Sequence, residues 1–270
     1  MQQYLNLRWD NRRSVFHPRK PFAEVKEFDV QHIPPSEAKP FVAKHHYSGC
    51  ACAYDFANYG LFWKGILSGV ATFAACQNKA TVQRYAGHEY EQGVELGRFV
   101  LLDEPGYNSE SWFLARAMEQ FKQLYPARKA VISYSDPHPR INRAGETVFP
   151  GHIGNIYRAS NALFAGRGQR RKKYTDADGR TFAERNFSKI IKEESGWAYA
   201  LRELERASET PRGKESLESY VWRAKRQLST FTHPGNYVYV FPLAANRREK
   251  KQILNTPQLQ ELANTQTPNK

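Results

Sequence analysis

Cysteine is scarce in this chain: Cys50, Cys52 and Cys76 are the only three among 270 residues. An odd, low count excludes a disulfide framework. Cys50-Ala51-Cys52 leaves a single residue between thiols where zinc knuckles leave two or more, and no second pair follows it, which argues against a structural zinc. Long apolar runs are missing as well. No stretch approaches the roughly 20 residues that cross a bilayer, and the opening MQQYLNLRWDNRR has no apolar segment of a secretory signal. A reduced, cytoplasmic protein without a membrane partner is expected. Acidic residues are in short supply, 27 against 40 lysines and arginines, for a net charge of +13. That excess favours a polyanion, nucleic acid first. An anionic membrane is disfavoured because no basic helix with a clean apolar face stands out. There is no internal repeat.

What is present is material for one sizeable core. Apolar residues make up 40% and aromatics 13%, and the length suits one large domain or one with an appendage. Residues 25–33 alternate as a strand, and Ser36 stands where it would cap a helix running to Tyr47. Residues 59–64 and 66–74 read as strands around a Lys64-Gly65 turn, and 94–102 as a buried strand. After the turn 103–108, a helix is expected over 109–125, with Trp112, Phe113, Ala117, Phe121 and Leu124 at helical spacing. Residues 130–135 form a short apolar strand that ends at Asp136 and Pro137. A helix is expected within 151–164, one or two within 182–206, another over 217–228, then a strand over 237–241. Strands and helices interleave, so the fold class is α/β (α+β), with one mixed central sheet flanked by helices. The expected division is a basic extension over 1–35, the main domain over 36–245 and a polar, flexible tail over 246–270.

Several residues carry candidate chemistry. His46 and Tyr47 follow a helix and precede Gly49, at a loop mouth; histidine accepts a proton near neutral pH, or it serves only the helix dipole. Asp136 closes an apolar strand, where active residues of α/β sheets gather, or it forms a turn with Pro137. Asn108, Ser109 and Ser111 open the central helix and either bind a donor or cap the helix. Glu95 and Arg98 lie three apart on one strand and point to opposite faces unless a bulge intervenes. Gly151, His152 and Gly154 precede a helix, and the glycines permit close approach of a ligand; Tyr157 on that helix is either functional or packed. Arg167, Arg170, Arg171, Lys172 and Lys173 form the densest basic run, for phosphate contact or as a solvated loop. His46, Asp136 and His152 have the chemistry of metal ligands but no recognisable ligand spacing, so no metal site is assigned.

Five blocks in order give the chain a resemblance. They are Lys44-His45-His46-Tyr47-Ser48-Gly49, Glu95-Leu96-Gly97-Arg98, Asn108-Ser109-Glu110-Ser111, Ser133-Tyr134-Ser135-Asp136 and the run 151–161, GHIGNIYRASN. Together they resemble the Mom family of phage DNA-modification proteins, and the late strand at 237–241 looks like the family's last. The resemblance implies a GNAT-like (acetyltransferase-like) fold. It also implies a transferase that converts adenine in double-stranded DNA to its N6-carbamoylmethyl (methylcarbamoyl) derivative, shielding phage DNA from restriction. On that basis His46, Tyr47, Asp136, Ser111 and Tyr157 are the catalytic candidates, and Tyr47 and Tyr134 are candidates to stack on an extruded base. Asp136 would orient the N6 amine, and either it or His46 would take its proton. Tyr157 would act as the acid that a tyrosine of the equivalent helix supplies in GNAT enzymes. Asn108, Ser109, Ser111, Gly151, His152 and Gly154 would face the donor. The donor is either an acyl-CoA or a glycine-derived compound. A GNAT enzyme has a glycine-rich pyrophosphate loop where this chain has Asn108-Ser109-Glu110-Ser111, and Glu110 would repel a pyrophosphate. Two other readings stand beside this one: an N-acetyltransferase acting on a different amine, and a non-catalytic DNA-binding protein.

Overall fold

The computed structural model describes residues 5–10, 13–18, 21, 24–52, 54–106 and 108–265. In chain order the strands are β1 (Leu5–Asp10), β2 (Arg13–Pro18), β3 (Phe28–Ile33), β4 (Asp55–Trp63), β5 (Ile66–Ala74), β6 (Gly93–Leu101), β7 (Ala130–Ser135), β8 (Arg140–Ile141), β9 (Thr147–Phe149), β10 (Leu163–Arg167), β11 (Arg171–Thr175), β12 (Thr181–Ala183), β13 (Ser229–His233) and β14 (Tyr237–Pro242). The helices are α1 (Pro35–His45), α2 (Ala80–Ala86), α3 (Ser109–Leu124), α4 (Asn155–Ala159), α5 (Glu184–Ile191), α6 (Trp197–Ala207), α7 (Leu217–Gln227), α8 (Arg247–Ile253) and α9 (Pro257–Thr265). The expected mixed sheet flanked by helices is what the chain forms. It divides into two compact units, one drawn from Met1–Ser135, Ile153–Gly166 and Tyr237–Lys270, the other from Asp136–His152 and Arg167–Asn236.

The first unit is built on a seven-stranded sheet in the order β10-β14-β7-β6-β5-β4-β3. Strands β3 to β6 lie antiparallel in chain order, and the expected Lys64-Gly65 turn joins β4 to β5, both residues at positive φ (51° and 79°). Helix α3 then returns the chain so that β7 lies parallel to β6, and β14 closes on β7 antiparallel. The two faces have separate cores. On one, Phe73, Val94 and Leu96 meet Phe113, Ala117 and Phe121 of α3. On the other, Ala130, Ile132, Val238 and Val240 meet Val82 and Ala86 of α2, Ile253 of α8 and Leu259 of α9. Alternate residues of these strands are apolar on both sides because both sides are covered.

Two features of this sheet shape the polar cluster beside it. Gly97 is an extra residue in β6: Thr72 and Phe73 are adjacent on β5, yet they pair with Arg98 and Leu96. That is a β-bulge, and it reverses the side-chain alternation after it. Beside it, β6 and β7 pair only over Gly93–Glu95 and Ala130–Ile132. Both strands continue beyond that point unpaired with each other, and the sheet parts there.

The structure differs from expectation at several places. The helix expected over 151–164 is only α4, because Gly151 and Gly154 hold positive φ before it and Asn161 (φ 62°) after it, and the chain then enters β10. Residues 246–265 are not a frayed tail. The Asn246 side chain accepts the Glu249 N–H to start α8, and Ile253 and Leu259 are buried. Within the expected 1–35 extension, β3 is an edge strand of the main sheet.

The second unit has its own core. Strand β11 lies between β12 and β13, and Tyr174 and Phe182 on one sheet face pack on Phe187 and Ile190 of α5, Leu204 of α6 and Tyr220 and Val221 of α7. Of the basic run, Arg171, Lys172 and Lys173 enter this sheet in β11, while Arg167 ends β10 and Arg170 lies in the loop between them. Arg171 pairs with His233 and Lys173 with Phe231, while Lys172 and Tyr174 alternate with them. Among the described residues, no helix is long and apolar enough to cross a membrane.

Candidate active site

The Gly97 bulge decides the relation of Glu95 and Arg98. In a regular strand they would point apart; with one residue added, both lie on the sheet face that carries Thr72. A Cβ at Gly97 would stand 2.5 Å from the Cys52 sulfur and 3.8 Å from Glu95 Oε1. Glycine there allows the 50–52 loop to close over the bulge. Arg98 is fixed from that loop, donating from Nε to the Cys50 carbonyl at 2.7 Å and from Nη1 to the Gly97 carbonyl at 2.5 Å. The same loop leads back to His46. Ser48 donates to the Cys50 carbonyl (3.1 Å), and His46 Nδ1 receives the Ser48 N–H (3.1 Å) with the hydroxyl 2.8 Å away. Tyr47 lies against the His46 ring with centroids 4.4 Å apart. The structure thus ties His46 and Tyr47 to Arg98 through the 46–50 loop, and sets Glu95 on the same sheet face as Arg98.

Glu95 stands at the last paired residue before β6 and β7 part. Its carboxylate accepts no hydrogen bond and forms no ion pair among the described residues. Burial pushes its pKa up to about 7, opposed in part by the Arg98 charge. The neighbouring thiols stay protonated, since burial drives Cys52 to about 11 and Cys76 to about 12. A little farther along, Ser133 of β7 reaches the Leu96 carbonyl at 3.3 Å, a side chain standing where the ladder has ended.

The other candidates of this unit have internal employment. Ser109 is fully buried and donates to the Pro105 carbonyl at 2.6 Å; Ser111 donates to the Asn108 carbonyl at 3.0 Å. Asn108 is in the left-handed region, φ 65°, with no side-chain cap. A coenzyme A pyrophosphate needs free donors at such a helix start. Here both hydroxyls point at carbonyls and Glu110 occupies the first turn, so only backbone N–H groups are left to face such an anion, with a carboxylate beside them. Gly154 has a structural reason as well: a Cβ would lie 2.5 Å from the Tyr239 ring. Tyr157 is buried beside Tyr239 and Phe241, at 5.3 and 6.0 Å between ring centroids. Tyr134 packs against the α2 side of the sheet.

In the second unit Asp136 is a hub. Oδ1 accepts from His233 Nε2 (2.9 Å) and the His138 N–H (3.0 Å), and Oδ2 from Arg140 Nη2 (2.6 Å). Burial by itself would raise its pKa; the His233 hydrogen bond, the Arg140 charge and the His138 N–H outweigh it and hold the carboxyl far below the usual range. It is a fixed anion and a weak base. His233 is itself locked, because the Gly235 N–H donates to Nδ1 at 3.1 Å, leaving the proton on Nε2 for Asp136. His138 stacks on Phe231 at 4.7 Å and 9°. Burial lowers the His152 pKa to about 4, keeping the ring neutral. Gly151 is required by packing, since a Cβ would meet the Pro137 carbonyl at 2.5 Å. Of the basic run, Arg171 and Lys173 share the sheet face of Phe231 and His233, whereas Lys172 lies over the Tyr174 ring at 5.4 Å. Among the described residues, no group of three or more His, Cys, Asp or Glu is arranged to hold a metal ion.

Sequence reading missed His233, which no local motif marks. It set Glu95 and Arg98 on opposite faces unless a bulge intervened, and the glycine between two charged residues in a strand is itself a sign of that bulge.

The chain has known relatives. The family model of the Mom protein family matches residues 27–259. The chain is 27% identical over 183 residues to the "Methylcarbamoylase mom" of Escherichia phage Mu, covering 67% of this chain and 70% of that protein. Among solved structures, a tandem GNAT protein from the clavulanic acid biosynthesis pathway aligns over 90% of this chain and 71% of its own. The identity is 11% and the TM-score 0.30, a likeness too slight to bear on fold or chemistry.

Proposed function

Because the chain belongs to the Mom protein family, we propose that it is a DNA-modifying transferase that adds a carbamoylmethyl group to N6 of adenine and so protects phage DNA from restriction. The observation that carries this reading is the polar cluster at the Gly97 bulge, in a chain 27% identical to a protein named a methylcarbamoylase. Glu95, Arg98, His46 and Tyr47 supply a carboxylate, a cation, an imidazole and an aromatic ring within one unit. Those are the groups needed to orient a purine and move a proton.

An adenine amine inside a duplex is out of reach of such a cluster. The base must be extruded, at a cost of a few kcal/mol. Tyr47, half-buried at the loop that carries His46, is the ring that receives it, while Tyr134, which shares the sheet face of Glu95, packs against the α2 core. N6 is a weak nucleophile, its lone pair delocalised into the ring, so a base must remove its proton as the new bond forms. Arg98, held on two backbone carbonyls, offers a fixed positive charge for a departing or developing anion. Asp136 serves as an anchor that fixes the 136–140 loop on β13 within its own unit. The strand face bearing Arg171 and Lys173 meets the DNA backbone.

The test is mass spectrometry of nucleosides from plasmid DNA recovered from cells that express the protein. A deoxyadenosine heavier by one carbamoylmethyl group is the expected product. Unmodified deoxyadenosine alongside soluble protein would refute the reading and favour another amine substrate or a binding role.

A further inference from the structure

We propose that Glu95 is the catalytic base of this site, taking the proton from adenine N6 where β6 and β7 part. The inference rests on the transferase reading above. Most acid–base groups of the fold are already committed. Asp136 is not free, since its oxygens accept from His233, His138 and Arg140. His233 is bonded at both ring nitrogens. His46 turns Nδ1 into its own loop, toward the Ser48 N–H and hydroxyl. Tyr157 is enclosed in the core. Of these candidates, Glu95 alone combines burial, an unbonded carboxylate and a position at a gap in the sheet.

The geometry explains how such a group survives. The β6–β7 ladder stops at the Glu95–Ile132 pair, so Glu95 is the last paired residue of β6 before the two strands part. The bulge at the next residue but one swings Arg98 to the same face. Arg98 does not neutralise the carboxylate by contact, because its guanidinium is held by the carbonyls of Cys50 and Gly97. The titratable groups around Glu95 are Arg98 from β6, Cys52 from the loop, Cys76 after β5, Tyr134 from β7 and Tyr157 from α4. Burial raises the pKa of all four uncharged ones, so across the neutral range Glu95 is the member of this set that changes charge. A base that titrates near neutrality has the strength that proton transfer from a weakly acidic amine requires.

The donor is a carbamoylmethyl group bound through its methylene carbon to a leaving group. N6 bonds to that carbon, the bond from the carbon to the leaving group breaks, and its electron pair departs with the leaving group. The N6 proton passes to a Glu95 oxygen. The product is a neutral secondary amine on the base, and the carboxylic acid then returns its proton to water.

The test pairs Glu95→Gln with Glu95→Asp in cells, reading the fraction of deoxyadenosine modified in co-resident plasmid DNA by mass spectrometry. Glutamine keeps the shape and removes the base, so modification should fall about 100-fold or more; aspartate should restore part of it. Because a glutamine at this position carries no buried charge, the purified E95Q protein should melt no lower than wild type, which separates lost chemistry from lost fold. A second readout needs no donor. In protein labelled with 13C at the glutamate carboxyl carbon, wild type should show one resonance titrating near neutral pH that is absent from E95Q. Wild-type protein that modifies DNA while E95Q does so within about threefold would overturn the role of Glu95 and leave the transferase reading intact. So would the absence of a near-neutral glutamate titration. Wild-type protein that leaves deoxyadenosine unmodified would instead overturn the transferase reading and this proposal with it.

Discussion

Glu249 is held by two lysines and a backbone amide. Its Oε1 lies 2.6 Å from Lys122 Nζ and 2.7 Å from Lys129 Nζ, and Oε2 accepts the Ala245 N–H at 2.7 Å. Lys122 is 6% exposed and also donates to the carbonyls of Pro126 and Arg128. One carboxylate therefore ties α8 to α3 and to the start of β7. Burial would raise its pKa, but the two lysine hydrogen bonds and the Ala245 N–H lower it from 4.5 to about 2. A depression of that size corresponds to about 3 kcal/mol. The side chain is only 17% exposed, so solvent screening takes little of it. An independent route agrees: removing one partner of a buried ion pair costs about 3–5 kcal/mol, softened here by the two carbonyls. Since the folded pKa is depressed, this stability is complete above the unfolded value of 4.5 and disappears as pH falls through about 2. Glu249→Gln should therefore cost about 3 kcal/mol at about pH 7 and roughly 1.5 kcal/mol at about pH 3. Urea unfolding of both proteins at the two pH values, read from the signal of the α3-containing unit, measures the difference. A gap that is the same at both pH values, or below about 0.5 kcal/mol at neutral pH, would show that the pair is a surface contact and does not anchor α8.

Four other variants test separate parts of the structure. The pleat of β11 divides the basic run, so Arg171→Ala with Lys173→Ala should flatten the salt dependence of duplex binding by about two phosphate contacts, a log–log slope change of about 1.8. Lys172→Ala should leave the slope unchanged; equal losses in fluorescence anisotropy for all three positions would mean that the face is irrelevant. His233→Ala removes one charge-assisted hydrogen bond from Asp136 and should cost about 1.5–3 kcal/mol in the thermal or urea stability of its unit, and an unaltered melt would discard Asp136 as an anchor. Gly154→Ala combines a left-handed backbone (φ 73°) with a Cβ 2.5 Å from Tyr239. It should lower stability by about 1–3 kcal/mol, whereas a ligand-contact role would instead change activity with stability intact.

Periodicity and turn chemistry determined the local elements. The β4–β5 hairpin, α3 with its apolar stripe, β7, α7 and β14 all stand where alternation, helical spacing and Gly or Pro punctuation place them, because those signals are short-range. The resemblance blocks identified the family for a related reason: they gather the residues of the loop after α1, the bulge, the α3 start and the end of β7. Where local signals were ambiguous, long-range packing decided. The segment after Asn246 is polar on average, yet Ile253 and Leu259 suffice to seat two helices once a sheet face is there to receive them. Arg171, Lys172 and Lys173 at the end of the run RGQRRKK became part of a strand because β13, far later in the chain, completes its ladder. The site itself belongs mostly to this second class. That Glu95 and Arg98 share a face depends on one extra residue relative to β5. That Glu95 stands at a gap depends on how far β7 pairs with β6, and that Asp136 is a tethered anion depends on His233, 97 residues away. A side chain's residue type is written in its codon; its partners, its desolvation and hence its usable proton are set by segments that meet only after folding.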